Sequence, residues 1–142
     1  MISNARRKKL AGTKVLDSWA LMCYLEQEAG HEKVIDLFEQ ASHSSKPLLM
    51  CVVNWGEVYY QIMRRLGEAK AQEIERLIRS FPIHLVEVDL DLTREAARFK
   101  AAKRMSYADC FAAALAKHKK AELVTGDKEF KQVEHEIKVA WI

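Results

Sequence analysis

Four carboxylates stand where an apolar run ends or a helical pattern opens: Asp17 after KVL, Glu57 beyond PLLMCVV, Asp109 in SYADCFAAALA, and Asp127 after ELVTG. Acids at such places can do two jobs. They cap helix amino ends, where unpaired N–H groups and the positive end of the helix dipole favour them, and they hold hard divalent cations through oxygen. NWGE and SYAD have the form of capping boxes with Asn54 and Ser106 as N-caps, while Asp17 and Asp127 fit N-cap positions themselves. Taken singly, each acid is accounted for by capping. Taken together they need more, because two unit charges about 4 Å apart repel by roughly 1 kcal/mol in water and roughly 4 at an effective dielectric near 20. If the fold gathers these acids, it requires a counter-ion. Oxygen ligands without paired His or Cys suit Mg²⁺ or Mn²⁺ better than Zn²⁺.

The elements that would position them follow from periodicity. KVL (14–16), PLLMCVV (47–53), HLVEV (84–88), ELVT (122–125) and KVAWI (138–142) read as buried strands, apolar along their length. Segments of helical spacing lie between them, with Gly30, Gly67 and Pro82 near the breaks. Such alternation predicts an α/β fold: a three-layer α/β/α sandwich with a mainly parallel sheet. Ligands bind outside the carboxyl ends of the strands in such sheets, which is where Asp17, Glu57 and Asp127 fall. Ala112, Ala113 and Ala116 make a small-residue stripe that lets the helix carrying Asp109 approach the sheet closely.

Composition narrows the class. The 142 residues, 30% of them charged and with a net charge of +3, fit one globular domain over residues 13–142, after a basic, flexible leader over 1–12. The mild positive charge permits a polyanionic partner without identifying one. Cys23, Cys51 and Cys110 are odd in number and lack C-x-x-C spacing, so neither a disulfide framework nor a zinc ribbon is indicated, and a reducing cytoplasm is the expected location. No stretch reaches transmembrane length, so no membrane partner is expected.

VLDSWALMCYL, NWGEVYY, MSYADCFAAALA and LVTGDKEF occur in the order and approximate spacing of the PIN domain, and the chain from Lys14 to Ile142 resembles a VapC-type toxin, a small PIN-domain ribonuclease. The resemblance implies a PIN-like fold with Asp17, Glu57, Asp109 and Asp127 as the metal-binding and catalytic acids, and Thr125 as a supporting hydroxyl. It also implies hydrolysis of RNA phosphodiester bonds with Mg²⁺ or Mn²⁺, a homodimer, and a cognate antitoxin that occupies the acidic cleft. Arg64, Arg65, Lys100, Lys103, Arg104, Lys117, Lys119 and Lys120 are available to hold an RNA backbone, although cations at helix ends are usually solvated. Trp19, Trp55, Tyr60 and Tyr107 flank the acids; core packing is expected for Trp55 and Tyr107, and stacking on unpaired bases is the functional alternative.

Two rival readings are weaker. Asp89-Leu-Asp91-Leu-Thr93 has the D-x-D-x-T pattern of aspartate-nucleophile phosphatases, but it lies far from the first strand and too little chain follows it. A strand end followed by a helix cap explains both acids. A non-catalytic PIN-like module that binds RNA or protein is the other alternative, and the presence of all four acids argues against it. GHEKVI lacks the second histidine of H-E-x-x-H, and His84, His118 and His135 have no partner at ligand spacing.

Overall fold

The computed structural model describes residues 12–142; the leader expected over 1–12 lies outside the described residues apart from Gly12. The strands are β1 (Lys14–Leu16), β2 (Leu48–Cys51), β3 (Ile83–Val86), β4 (Glu122–Thr125) and β5 (Val139–Trp141). All are paired in parallel, in the order β3-β2-β1-β4-β5. The helices are α1 (Ser18–Leu25), α2 (His31–Ser44), α3 (Val52–Leu66), α4 (Glu68–Arg79), α5 (Leu90–Ala102) and α6 (Tyr107–Lys119), with a 3-10 helix at Lys128–Val133.

Alternation along the strands separates two cores, because successive side chains point to opposite faces of a sheet. Val15 and Leu123 face a cluster with Phe99, Phe111, Phe130 and Val133, from α5, α6 and the 3-10 helix. Leu16 and Val124 face the other, with Leu21, Val34, Val58 and Ile78 from α1 to α4. The result is the three-layer sandwich expected from the sequence, with a sheet that is wholly parallel among the described residues. The alanine stripe behaves as anticipated: Ala112, Ala113 and Ala116 are at most 1% exposed, on a helix that lies against β1, β2 and β4. No helix among the described residues is long and apolar enough to cross a membrane.

Boundaries differ from their expectations at HLVEV, where β3 stops at Val86, and more markedly in the second strand. PLLMCVV is not strand throughout, because the chain turns at Cys51 (φ −69°, ψ 139°) and Val52 and Val53 already belong to α3. Asn54 is therefore inside the helix and is not its N-cap, a position that falls to Cys51 without a side-chain bond.

The strand order fixes where a ligand can sit. From β1 the sheet grows one way through β2 and β3 and the other way through β4 and β5, so the order reverses between β1 and β4. Connections leaving such neighbours part to opposite faces and open a crevice at their carboxyl ends. Asp17 ends β1's excursion and Asp127 follows β4, so both stand at that crevice.

Candidate metal centre

Asp17 is 1% exposed and uses both oxygens. Oδ1 accepts the Ala20 N–H at 2.8 Å, capping α1, and Oδ2 accepts the Thr125 hydroxyl at 2.5 Å. Thr125, the last residue of β4, in turn accepts the Asp127 N–H on its Oγ1 at 3.0 Å. A single hydroxyl thus ties together the acids that follow the two neighbouring strands. Asp127 Oδ1 accepts the Glu129 N–H at 3.0 Å and caps the 3-10 helix. Capping is real at both positions, and at Asp127 it engages one oxygen and leaves the other.

Between them, Gly126 is required by space. A methyl group there would fall 2.2 Å from the Trp19 indole, which lies against the glycine and lines the cleft. Asp109 enters from the first turn of α6, where Ser106 is the N-cap and accepts the Asp109 N–H at 3.1 Å. Glu57, on α3, accepts from Ser18 Oγ at 2.9 Å and from Asn54 Nδ2 at 3.2 Å, both on Oε1.

Carboxylate oxygens of Asp109, Asp127 and Glu129 all lie within 4.8 Å of one another. Asp17 and Glu57 stand outside this closest group and still act on it. Asp109 is pushed up to about 7 by burial, then by Asp127, with Glu57 and Glu129 adding to the effect against the Ser106 hydrogen bond. Asp17 is pushed up to about 8, chiefly by burial, with Asp109 and Asp127 adding repulsion and the Thr125 and Ala20 bonds opposing it. All four predicted acids are therefore gathered in one electrostatic unit. Glu129 is a fifth that sequence reasoning missed; its signal was the second position of a helix whose cap, Asp127, bonds its own N–H.

Apart from Asp17, which lies buried behind it, these groups border a cleft of about 460 Å³ whose acids are Glu26, Glu28, Glu57, Asp109, Asp127 and Glu129. Among the described residues that line it, Arg65 is the one lysine or arginine, and it is ion-paired with Glu26. Cys23 also borders it, but burial pushes the thiol up and its Sγ faces the Glu28 and Ala29 carbonyls, so it offers no thiolate. A larger cleft of about 520 Å³ lies between α2 and the amino ends of β1 and β2, away from the converging acids.

Several cations named from sequence are committed elsewhere: Lys117 to Glu95 at 2.8 Å, Lys103 to Glu136 at 3.0 Å, and Lys100 to the Met105 carbonyl at 2.7 Å. Arg64 lies over the Tyr60 ring, 4.8 Å from its centroid. Trp55 stacks on Tyr59 and packs against the second core, as expected. Tyr107 does not join the core. It is 45% exposed, with its ring tilted against Phe111, because its place at the start of α6 faces outward. Asp89 caps α5 through the Leu92 N–H and Asp91 pairs with Arg94, so the D-x-D-x-T pattern is a helix start.

No curated protein matches this chain. Solved structures of the same fold do. VapBC2 from Rickettsia felis, bound to a DNA fragment from its promoter, aligns at TM-score 0.73 and 14% identity, over 92% of this chain and 98% of that one. A toxin–antitoxin complex from Klebsiella pneumoniae aligns at TM-score 0.68 and 14% identity, over 90% and 96%. The sarcin-ricin loop cleaving toxin VapC20 of Mycobacterium tuberculosis aligns at TM-score 0.66 and 18% identity, over 85% and 95%. At such identities the likeness is one of fold. Sequence supplies the membership: the family model for the PIN domain matches residues 14–136, from the first strand through the 3-10 helix, and this chain belongs to the PIN domain family.

Proposed function

We propose that this protein is a divalent-metal-dependent endoribonuclease that hydrolyses RNA phosphodiester bonds, acting as the toxin of a VapC-type toxin–antitoxin pair. The observation that carries the reading is the approach of Asp109, Asp127 and Glu129 to within 4.8 Å of one another. Burial and mutual repulsion hold Asp17 and Asp109 far above ordinary carboxylates. A hard dication relieves that repulsion, and the all-oxygen donor set fits Mg²⁺ or Mn²⁺. Asp17, Asp109 and Asp127 would hold it, with Glu57 and Glu129 completing the set. When bound, such an ion supplies positive charge for the scissile phosphate and makes a water acidic enough to attack phosphorus.

The chain's own groups do the rest. The Thr125 hydroxyl donates to Asp17 and accepts from the Asp127 N–H, so the two acids keep a fixed separation. Arg65 meets the RNA: its five donors allow it to keep Glu26 on one edge and grip a phosphate with another. Trp19, lodged against Gly126, lines the cleft and is the aromatic side chain there for an unpaired base to stack on. Arg64 over Tyr60 lies on the adjoining ridge of α3 and extends the contact. A cognate antitoxin, a homodimer and a cytoplasmic location complete the reading; the antitoxin draws support from toxin–antitoxin complexes among the structures of like fold.

The test is incubation of total RNA with the protein in Mg²⁺, Mn²⁺ or EDTA, beside a folded Asp17→Asn variant. Cleavage that needs metal and vanishes in the variant is the expected result. RNA bound but never cut, equally by both proteins, would instead identify a non-catalytic module.

A further inference from the structure

The Glu57 carboxylate is held from one side only. Its Oε1 accepts from Ser18 Oγ at 2.9 Å and from Asn54 Nδ2 at 3.2 Å. The same Asn54 nitrogen donates to the Ala108 carbonyl at 3.0 Å, one residue before Asp109. One amide thus spans from the acid of α3 to the backbone that carries the acid of α6. Reversing the amide would set its oxygen against two acceptors, so the hydrogen-bond pattern fixes its orientation.

Asn54 is fully buried, and its Oδ1 has no hydrogen-bond partner among the described residues. An orphaned buried acceptor is destabilising, and a leucine of similar shape would avoid it. Packing alone does not favour asparagine here. The two N–H bonds are what asparagine provides, and both end on the machinery of the acidic cleft.

We propose that Asn54 is a positioning residue for divalent-cation binding: it sets the placement of Glu57 relative to Asp109, with Ser18 as the second anchor on the same oxygen. Ser18 follows Asp17 and is only 8% exposed, so the brace joins α1, α3 and α6, each of which carries or adjoins an acid of the cleft. The inference rests on the reading of that cleft as a metal site.

The experiment measures Mn²⁺ affinity by calorimetric titration, and denaturant stability of the metal-free protein, for wild type, Asn54→Leu and Ser18→Ala. Loss of a hydrogen bond that orients a ligand weakens metal affinity by roughly ten- to a hundred-fold. Asn54→Leu is expected to show such a loss while its metal-free stability equals or exceeds that of wild type, a combination that a merely structural hydrogen bond would not give. Ser18→Ala is expected to weaken binding by a smaller factor, and the double variant by less than the product, since both donors serve one oxygen. A folded Asn54→Leu protein with wild-type affinity overturns the proposal. If that variant does not fold, Ser18→Ala with unchanged affinity overturns it. Wild-type protein that binds no Mn²⁺ refutes the metal reading itself and this inference with it.

Discussion

Glu95 on α5 and Asp109 on α6 are equally exposed, at 8% each, yet their environments push them in opposite directions. Lys117 and Arg98 hold Glu95 below the ordinary glutamate range, at 2.8 and 3.1 Å. Asp109 is pushed up to about 7, by burial first and then by Asp127. The cover over Glu95 is thin and made of its own partners, since Lys117 and Arg98 are 46% and 68% exposed. Asp109 is covered by the fold itself and faces other acids. The contrast shows that this chain neutralises a covered acid where neutralisation serves packing. At the switch between β1 and β4 no lysine or arginine of the described residues forms an ion pair with Asp109, an arrangement that is destabilising by itself and that the proposed metal would relieve.

The largest expected effect breaks the comparison at Asp109. Asp109→Asn keeps the shape and removes the charge, so RNA cleavage should fall by at least about a hundred-fold. Metal-free stability at about pH 8 should rise, on the order of 2 kcal/mol, because the folded chain no longer has to ionise a covered acid. Cleavage assays and urea denaturation read the two quantities; a variant that loses both activity and stability would show that Asp109 is merely structural.

The next effect is the pH dependence of stability. In the unfolded chain both aspartates ionise near 3.8, whereas in the folded chain Asp17 does so near 8 and Asp109 near 7. Within that window the folded state holds more protons, so stability is greatest on the acid side and is lost as pH rises through the folded values. The melting temperature of metal-free protein should therefore fall from about pH 4 to about pH 8 and level off above that, and saturating Mn²⁺ should flatten the upper part of the fall by taking the place of the protons. An identical slope with and without Mn²⁺ would contradict it.

A third change attacks the other half of the comparison. Lys117→Met retains the stem near the Phe99 ring, where Nζ now lies 5.5 Å from the centroid, and deletes the charge. Glu95 keeps Arg98, so the loss should be about 1 to 2 kcal/mol at neutral pH, between exposed and buried pairs. Because the Glu95 value is depressed, the contribution is present above the ordinary glutamate range and disappears as pH falls below it. RNA cleavage should be unchanged, and a deficit there would mean that α5 and α6 transmit strain to the acidic rim.

The sequence was most informative where one constraint dominated. The central strands β1, β2 and β4 are covered on both faces and have to be apolar runs, and all five strands lie near their predicted places, the edge strands β3 and β5 being only partly buried. Asp17 and Asp127 were legible because a parallel sheet sends the ends of β1 and β4 to one edge, and Asp109 because SYAD marks the first turn of the helix that follows its serine cap. The failures share a cause, which is that the local pattern was right and its tertiary use was hidden. Asn54 looked like a cap because NWGE has the spacing of a capping box, but the turn came three residues earlier and drew the amide into the interior as a brace. Glu129 looked like an ordinary surface charge in GDKEF, and its place in the first turn of the 3-10 helix, with an oxygen near Asp109, emerged only in the fold. No sequence pattern distinguished Lys117, committed to Glu95 across a helix pair, from Arg65, which borders the cleft.

That last distinction yields the smallest and most specific prediction. Arg65 is 54% exposed and its partner Glu26 about a third, so the pair itself adds little to stability. Arg65→Gln should change the denaturation midpoint negligibly, in contrast to Lys117→Met. Its effect should appear in substrate binding, where one lost phosphate contact weakens RNA affinity by a few-fold and reduces the salt dependence of log K by about 0.7 for a single strand. KM for RNA should rise while kcat holds, since Arg65 grips the chain equally before and during cleavage. The complementary change, Glu26→Gln, frees the guanidinium and should tighten RNA binding without touching stability. If both variants leave KM and the salt slope as they were, Arg65 is paired for packing as Lys117 is, and the two cations are alike after all.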